Sequence, residues 1–208
     1  MARESVRTTA PLAERSPDPT RRQRSDAKRN VAALVAAAKT VFAASGVDAP
    51  AKEITDLAGV GVGTLYRHFP RRSDLIVAVL QREIDECIAA AEELGTALGP
   101  WEALTGWIER FTDFVGTKRG LAAALHSGDP AYDDLPQRLL DRLEPALQTL
   151  LARAVDGGYA RGEVTAREVL VTIALICQPV PGGQPDFNQR MARVFLEGLA
   201  RPLPRTFP

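Results

Sequence analysis

Between Lys52 and Asp74 the chain reads KEITDLAGVGVGTLYRHFPRRSD, and this stretch leaves few folds open. Ile54, Leu57 and Ala58 fall on one face of a short helix that Pro50 can open, because a first helical turn does not need the missing N–H. Gly59 ends that helix. Thr64 to His68 form another, and Pro70 stops it by pushing the residue before it out of the α region. Ser73 then caps a long helix, with Asp74 in its first turn. Two short helices joined by a tight glycine turn, with Val60 and Leu65 buried to fix their angle, make a helix-turn-helix. The open side of the second helix carries Thr64, Tyr66, Arg67 and His68. A helix fits the major groove of DNA, where its first residues reach base edges.

Helical spacing continues on both sides. Val31, Leu34, Val35, Ala38, Val41 and Phe42 predict a helix over about 26–45, closed by a left-handed Gly46. The stripe from Leu75 to Ile88 runs from Ser73 to about Leu94, where Gly95 is expected to break it. Trp101 to Val115 mark the next helix, Arg119 to His126 a shorter piece, and Ser127 to Pro130 a turn. Leucines recur from Leu139 to Leu151, and Pro145 inside that run predicts a kink or split near Arg142. Thr165–Cys177 and Phe187–Ala200 are the last helices, joined by a Pro- and Gly-rich loop. No segment alternates with period two, so the fold class is all-α. Residues 1–24 are poor in large apolar groups and read as a disordered basic arm. Residues 25–72 read as the helix-turn-helix domain and 73–208 as a helical body.

The 26 basic and 26 acidic side chains cancel, but unevenly. Residues 1–72 hold 13 Lys and Arg against 7 Asp and Glu, and residues 73–208 hold 13 against 19. A cationic end on an anionic body suits a polyanionic partner at one end only. Cys87 and Cys177 have no metal-type spacing and read as reduced core thiols. The N-terminus has no apolar core of a signal peptide, and the longest apolar run is about half the ~20 residues of a membrane span. A cytoplasmic protein without a membrane partner is the expectation.

GVDAPAKEITDLAGVGVGTLYRHFPRRSDL, preceded by VFAASG, resembles the N-terminal domain of TetR/AcrR-family transcriptional regulators over about residues 28–76. The resemblance implies a homodimer binding double-stranded operator DNA, with a C-terminal helical domain for ligand binding and dimerisation. It implies that Tyr66 meets a phosphate, Thr64 a base methyl or phosphate, and His68 a phosphate. It implies that Arg72 clamps a phosphate at the start of the long helix. Lys52 could meet a backbone phosphate, and Arg67 faces the same way. The family often places a basic residue where Gly61, Val62 and Gly63 stand here. Gly61 and Val62 would therefore contribute through backbone amides and shape readout.

The body carries no nucleophile elbow, no zinc-protease motif and no phosphate-cradling glycine loop, so no catalytic residue, metal site or cofactor is assigned. Asp129, Asp133 and Asp134 near His126 read as an acidic turn. Trp101, Trp107, Phe111 and Phe114 sit on one helix, either as core or as a pocket wall. With the resemblance, Trp107, Phe111, Phe114, Leu121, His126 and Leu143 are the expected contacts of an apolar or aromatic small-molecule effector. The last two helices are too apolar to stand exposed and are expected to pair with their copies in a second chain. A ligand-responsive repressor follows. The competing reading is a helical small-molecule-binding protein or enzyme with a purely structural helix-turn-helix, which would not need the basic arm, Arg71 and Arg72.

Overall fold

The computed structural model of the chain describes residues 19–116, 128–178 and 186–201. Its helices are α1 (Pro19–Ser45), α2 (Ala51–Ala58), α3 (Val62–His68), α4 (Arg72–Ala97), α5 (Pro100–Gly116), α6 (Leu135–Asp156), α7 (Ala166–Ile176) and α8 (Phe187–Leu199). A single 3-10 turn, Pro130–Tyr132, precedes α6. Among the described residues there is no strand, only one backbone bridge between Ala160 and Ala200.

Two apolar clusters hold these helices, and α4 belongs to both. In the first, Leu34, Ala38 and Phe42 of α1 meet Ile54 and Leu65 of the short helices and Leu75, Ile76, Val79 and Leu80 of α4. Tyr132 and Leu135 close it from the body side. In the second, Ile84, Cys87 and Ala91 of α4 meet Leu104, Trp107 and Ile108 of α5, Leu147 and Leu150 of α6, Leu170 of α7 and Leu196 of α8. Phe114 and Leu139 pack against both clusters. The boundary expected between residues 72 and 73 runs through the first cluster.

Several local expectations are corrected. α1 begins at Pro19, so residues 19–24, expected in the unstructured arm, are helical. Pro19 suits a first helical position, and the Arg, Gln, Ala and Lys that follow are good helix formers. Ser73 is not the cap of α4 but a buried residue within it. Arg71 is the N-cap, in a reciprocal capping arrangement with Asp74: the Arg71 N–H donates to Asp74 Oδ2 at 3.0 Å. Hydrogen bonds from Arg71 hold the Asp74 carboxyl below its ordinary pKa. Gly95 continues α4, and Arg153 of α6 donates to its carbonyl. The helix expected over 119–126, the arm residues 1–18, most of the loop after Cys177 and the tail from Pro202 lie outside the described residues.

Pro145 does not split α6, which runs unbroken from Leu135 to Asp156. The leucine face that it presents to the core outweighs the lost backbone bond. Neighbours hold the interrupted turn: Arg142 pairs with Asp85 of α4, and Arg167 of α7 reaches Asp141 at 2.8 Å and Glu144 at 3.2 Å. An interior proline costs about 3 kcal/mol, partly offset by up to about 1 kcal/mol from a stiffer unfolded chain. Pro145→Ala is therefore expected to stabilise the protein by about 2–3 kcal/mol in urea unfolding. A loss of stability would mean that the packing depends on the proline.

Candidate nucleic-acid interface

The helix-turn-helix is assembled by few contacts. Gly59 adopts a left-handed φ of 67°, and its N–H donates to Asp56 O at 3.3 Å. That conformation is cheap only for glycine. Val60 N–H donates to Thr55 O, and Thr64 N–H to Gly61 O at 2.9 Å starts the next helix. α3 then buries Leu65 alone, and Phe69 closes the exit beneath it.

Everything else on α3 is open. Gly61, Val62, Gly63 and Arg67 are exposed, Thr64 and His68 are half-buried, and Tyr66 keeps 52% of its surface in solvent. Arg67 makes no ion pair among the described residues, and the Tyr66 hydroxyl makes no hydrogen bond there. An exposed tyrosine next to an exposed arginine suits contacts to phosphate and base edges. Lys52 is also exposed, with its ammonium 2.6 Å from Asp56 one turn on.

Arg72 stands apart from this surface. Its Nε and Nη2 donate to Val47 O at 2.8 and 2.6 Å, and Nη2 also to Ala49 O. The guanidinium carbon lies 4.9 Å from the centre of the Phe42 ring. The expected phosphate clamp thus turns inward, because carbonyls of the α1–α2 loop accept from its Nε and Nη2. Arg71 is the basic side chain left exposed at this corner, 2.8 Å from Asp74.

Glycines 61 and 63 are informative for what they do not touch. No atom lies within 4 Å of where a Cβ would stand on either, and Gly61 has an ordinary φ of −75°. Neither backbone conformation nor internal packing requires glycine there. Gly63 is not among the residues expected from the sequence to meet DNA, and the empty space around it places it on the same open surface as Gly61.

The expected ligand wall is differently placed. Trp107 and Phe111 stack at 5.5 Å inside the second cluster, with Trp107 only 1% exposed and its indole N–H donating to Cys87 O at 2.8 Å. Leu143 is buried in the same core. Those three side chains are buried in one cluster, whereas Phe114 borders open space. That space is a groove of about 440 Å³ between α1, α4 and α5, bordered also by Lys39, Ala43, Cys87 and Arg110. A smaller cleft of about 210 Å³ lies between α5 and α8, with Glu109, Thr112, Gln189 and Arg193 on its walls. Leu121 and His126 lie outside the described residues. Burial pushes the Cys87 and Cys177 thiols up to about 11, which keeps them protonated. No group of three or more metal-type ligands occurs among the described residues.

The sequence profile described as bacterial regulatory proteins of the tetR family matches residues 34–79. The profile described as the C-terminal domain of SbtR-like transcriptional regulators matches residues 99–201. A solved TetR transcriptional regulator from Streptomyces coelicolor is 33% identical with a TM-score of 0.67, covering 83% of this chain and 99% of that one. A TetR regulatory protein from Mycobacterium vanbaalenii is 32% identical with a TM-score of 0.63, covering 86% and 99%. The HTH-type transcriptional activator FasR of Mycolicibacterium smegmatis is 37% identical over 84 residues, which is 39% of this chain and 38% of FasR. An HTH-type regulator of Staphylococcus aureus is matched over 40% of its length, so the chain aligns with about two fifths of these curated relatives.

Gly63→Ala separates folding from binding. Alanine is favoured over glycine within a helix by up to about 1 kcal/mol, and here the new methyl meets nothing in the chain. Thermal unfolding is expected to shift upward while DNA affinity falls, since the methyl stands on the open side of α3. Unchanged affinity would remove position 63 from the interface.

Proposed function

The chain belongs to the TetR family of bacterial transcriptional regulators, and on that premise we propose that it is a homodimeric repressor that reads operator DNA with α3 and is released by a small molecule. The observation that carries the reading is the open side of α3, where Tyr66 and Arg67 stand exposed beside Gly61, Val62 and Gly63. In this proposal Gly61 and Val62 let the DNA approach closely, Thr64 and Arg67 reach base edges or phosphates, and Tyr66, His68 and Lys52 hold the backbone. Phosphate contacts fix register, and the few base contacts supply sequence preference. The reading head is taken as residues 25–72, the body as 73–208, and residues 1–24 as a basic extension that adds affinity. The protein would act in the cytoplasm; no described helix is long and apolar enough to cross a membrane.

FasR is named as an activator, but its alignment covers 39% of this chain. The sign of regulation therefore needs a direct test. Selection of bound fragments from a random DNA pool, followed by a reporter carrying the selected site, tests both parts. Repression relieved by deleting the regulator supports the proposal; reporter activity that needs the regulator reverses the sign.

Dimerisation is supported by apolar groups that α7 and α8 leave outside. Leu175 is 66% exposed and Val194 59%, and Val171 is exposed to a lesser degree. Ile173, by contrast, is fully buried within its own chain, so a charge there would disrupt the core instead of an interface. Leu175→Glu combined with Val194→Glu is expected to give folded monomers in sedimentation, with operator affinity reduced by at least tenfold because paired half-sites are lost. A dimer unaffected by both changes would place the interface elsewhere.

For the effector we propose a small, largely apolar molecule in the groove beside Phe114. Ala43, Cys87 and Phe114 give it apolar wall, and Lys39 at the rim is held by Glu86 at 2.7 Å. A molecule there touches α1 of the reading head and α4 and α5 of the body together. Coupling between effector and DNA is reciprocal, and switching from mostly bound to mostly free needs a preference of about 5 kcal/mol. In a thermal-shift screen, the stabilisation by a hit is expected to vanish in Phe114→Ala. It should persist in Trp107→Ala, although that variant loses about 3–5 kcal/mol of stability from the core. The opposite pattern would return the ligand to the aromatic row.

A further inference from the structure

Arg72 opens α4, yet its side chain is engaged with the loop that precedes α2. Nε and Nη2 together span Val47 O and Ala49 O, and the guanidinium plane rests over Phe42 of α1. Val47 and Ala49 are themselves buried, so those carbonyls would otherwise lack partners. Resting on the DNA-reading role of α3, we propose that Arg72 is a positioning residue: it fixes the angle at which the α2–α3 pair leaves α4, and so sets the spacing of the two reading helices in the dimer.

The packing explains why one side chain has this influence. α2 and α3 pack on α1 and on each other, and α1 packs on α4. The reading pair therefore sits on α4 mainly through α1, with Ile54 and Leu65 sharing one apolar cluster with the start of α4. Arg72 adds a direct polar tie from the first residue of α4 to the loop at 47–49. Burial pulls its pKa down, as expected for a cation withdrawn from water, while Asp48, Tyr66 and Tyr132 favour its charge. Turning outward to meet a phosphate would leave two buried carbonyls unpaired, at a cost that one exposed phosphate contact does not offset. A lysine has the charge but neither the flat face for Phe42 nor the forked donors that bridge two carbonyls.

That difference gives the test. The full-length protein, Arg72→Lys and Arg72→Gln are titrated with DNA selected from a random pool by the wild type, over a range of salt. For a positioning residue, both variants lose about tenfold in affinity, the factor for one hydrogen bond to a charged group, while the salt slope keeps its wild-type value. The half-site spacing selected by Arg72→Lys also broadens. For a phosphate contact, Arg72→Lys keeps wild-type affinity and slope, and Arg72→Gln loses about 0.9 in slope. That second pattern overturns the proposal. Amide hydrogen exchange over residues 46–49 in the absence of DNA is a separate readout: faster exchange in both variants supports the tie, and unchanged exchange overturns it. If the wild type selects no DNA at all, the DNA-reading role fails, while the exchange measurement still decides the tie.

Discussion

Burial of the long, mostly apolar face of α4 is the constraint on which the rest of the molecule depends. From Leu75 to Leu80 the stripe faces α1 and the two short helices; from Ile84 to Ala91 it faces α5 and α6. Each buried leucine, isoleucine or valine contributes roughly 1.5–3 kcal/mol relative to exposure. Neither half of the chain can therefore release α4 without a large loss. A helix of 26 residues held at both ends transmits a tilt instead of absorbing it. The two clusters are also bridged by Phe114 and Leu139, which pack against both. The groove beside Phe114 lies at that bridge.

The stability of the reading head and its function make opposite demands on the same residues. α2 and α3 are only eight and seven residues long, too short to hold a helix in isolation. They are held by Ile54, Leu65 and Phe69 packing into the first cluster, by the left-handed Gly59, and by the tie from Arg72. Those contacts all lie on the inner side. The outer side of α3 leaves glycine, valine, tyrosine and arginine exposed. In the proposed reading, that separation leaves the outer residues available to DNA.

Most of the architecture was legible because helical periodicity is local. The apolar stripe of α4, the glycine turn at 59 and the positive φ of Gly46 (84°) all follow from residues close in sequence. What could not be read depended on distant partners. Arg72 looks like a solvent-facing cation until the carbonyls of Val47 and Ala49, more than twenty residues away, are placed beside it. Trp107 and Phe111 make the same pattern on a helix whether they line a cavity or fill a core, and the fit of α4 and α6 around them decides it. Pro145 signals a break, yet the packed leucines of α6 and the ion pairs at Arg142 and Arg167 override it. Val171, Leu175 and Val194 are apolar like the inward residues of the same helices, and only the orientation of α7 and α8 separates the two faces.

The central claim is that α3 enters the major groove as one of a symmetric pair. Hydroxyl-radical footprinting of the wild-type protein on DNA selected from a random pool tests it most directly. Two protected patches on one face of the duplex, centred about one helical turn apart at roughly 34–36 Å or a multiple of it, are the predicted result. Uniform weak protection without a centre of symmetry, or a single patch at saturating protein, would contradict it.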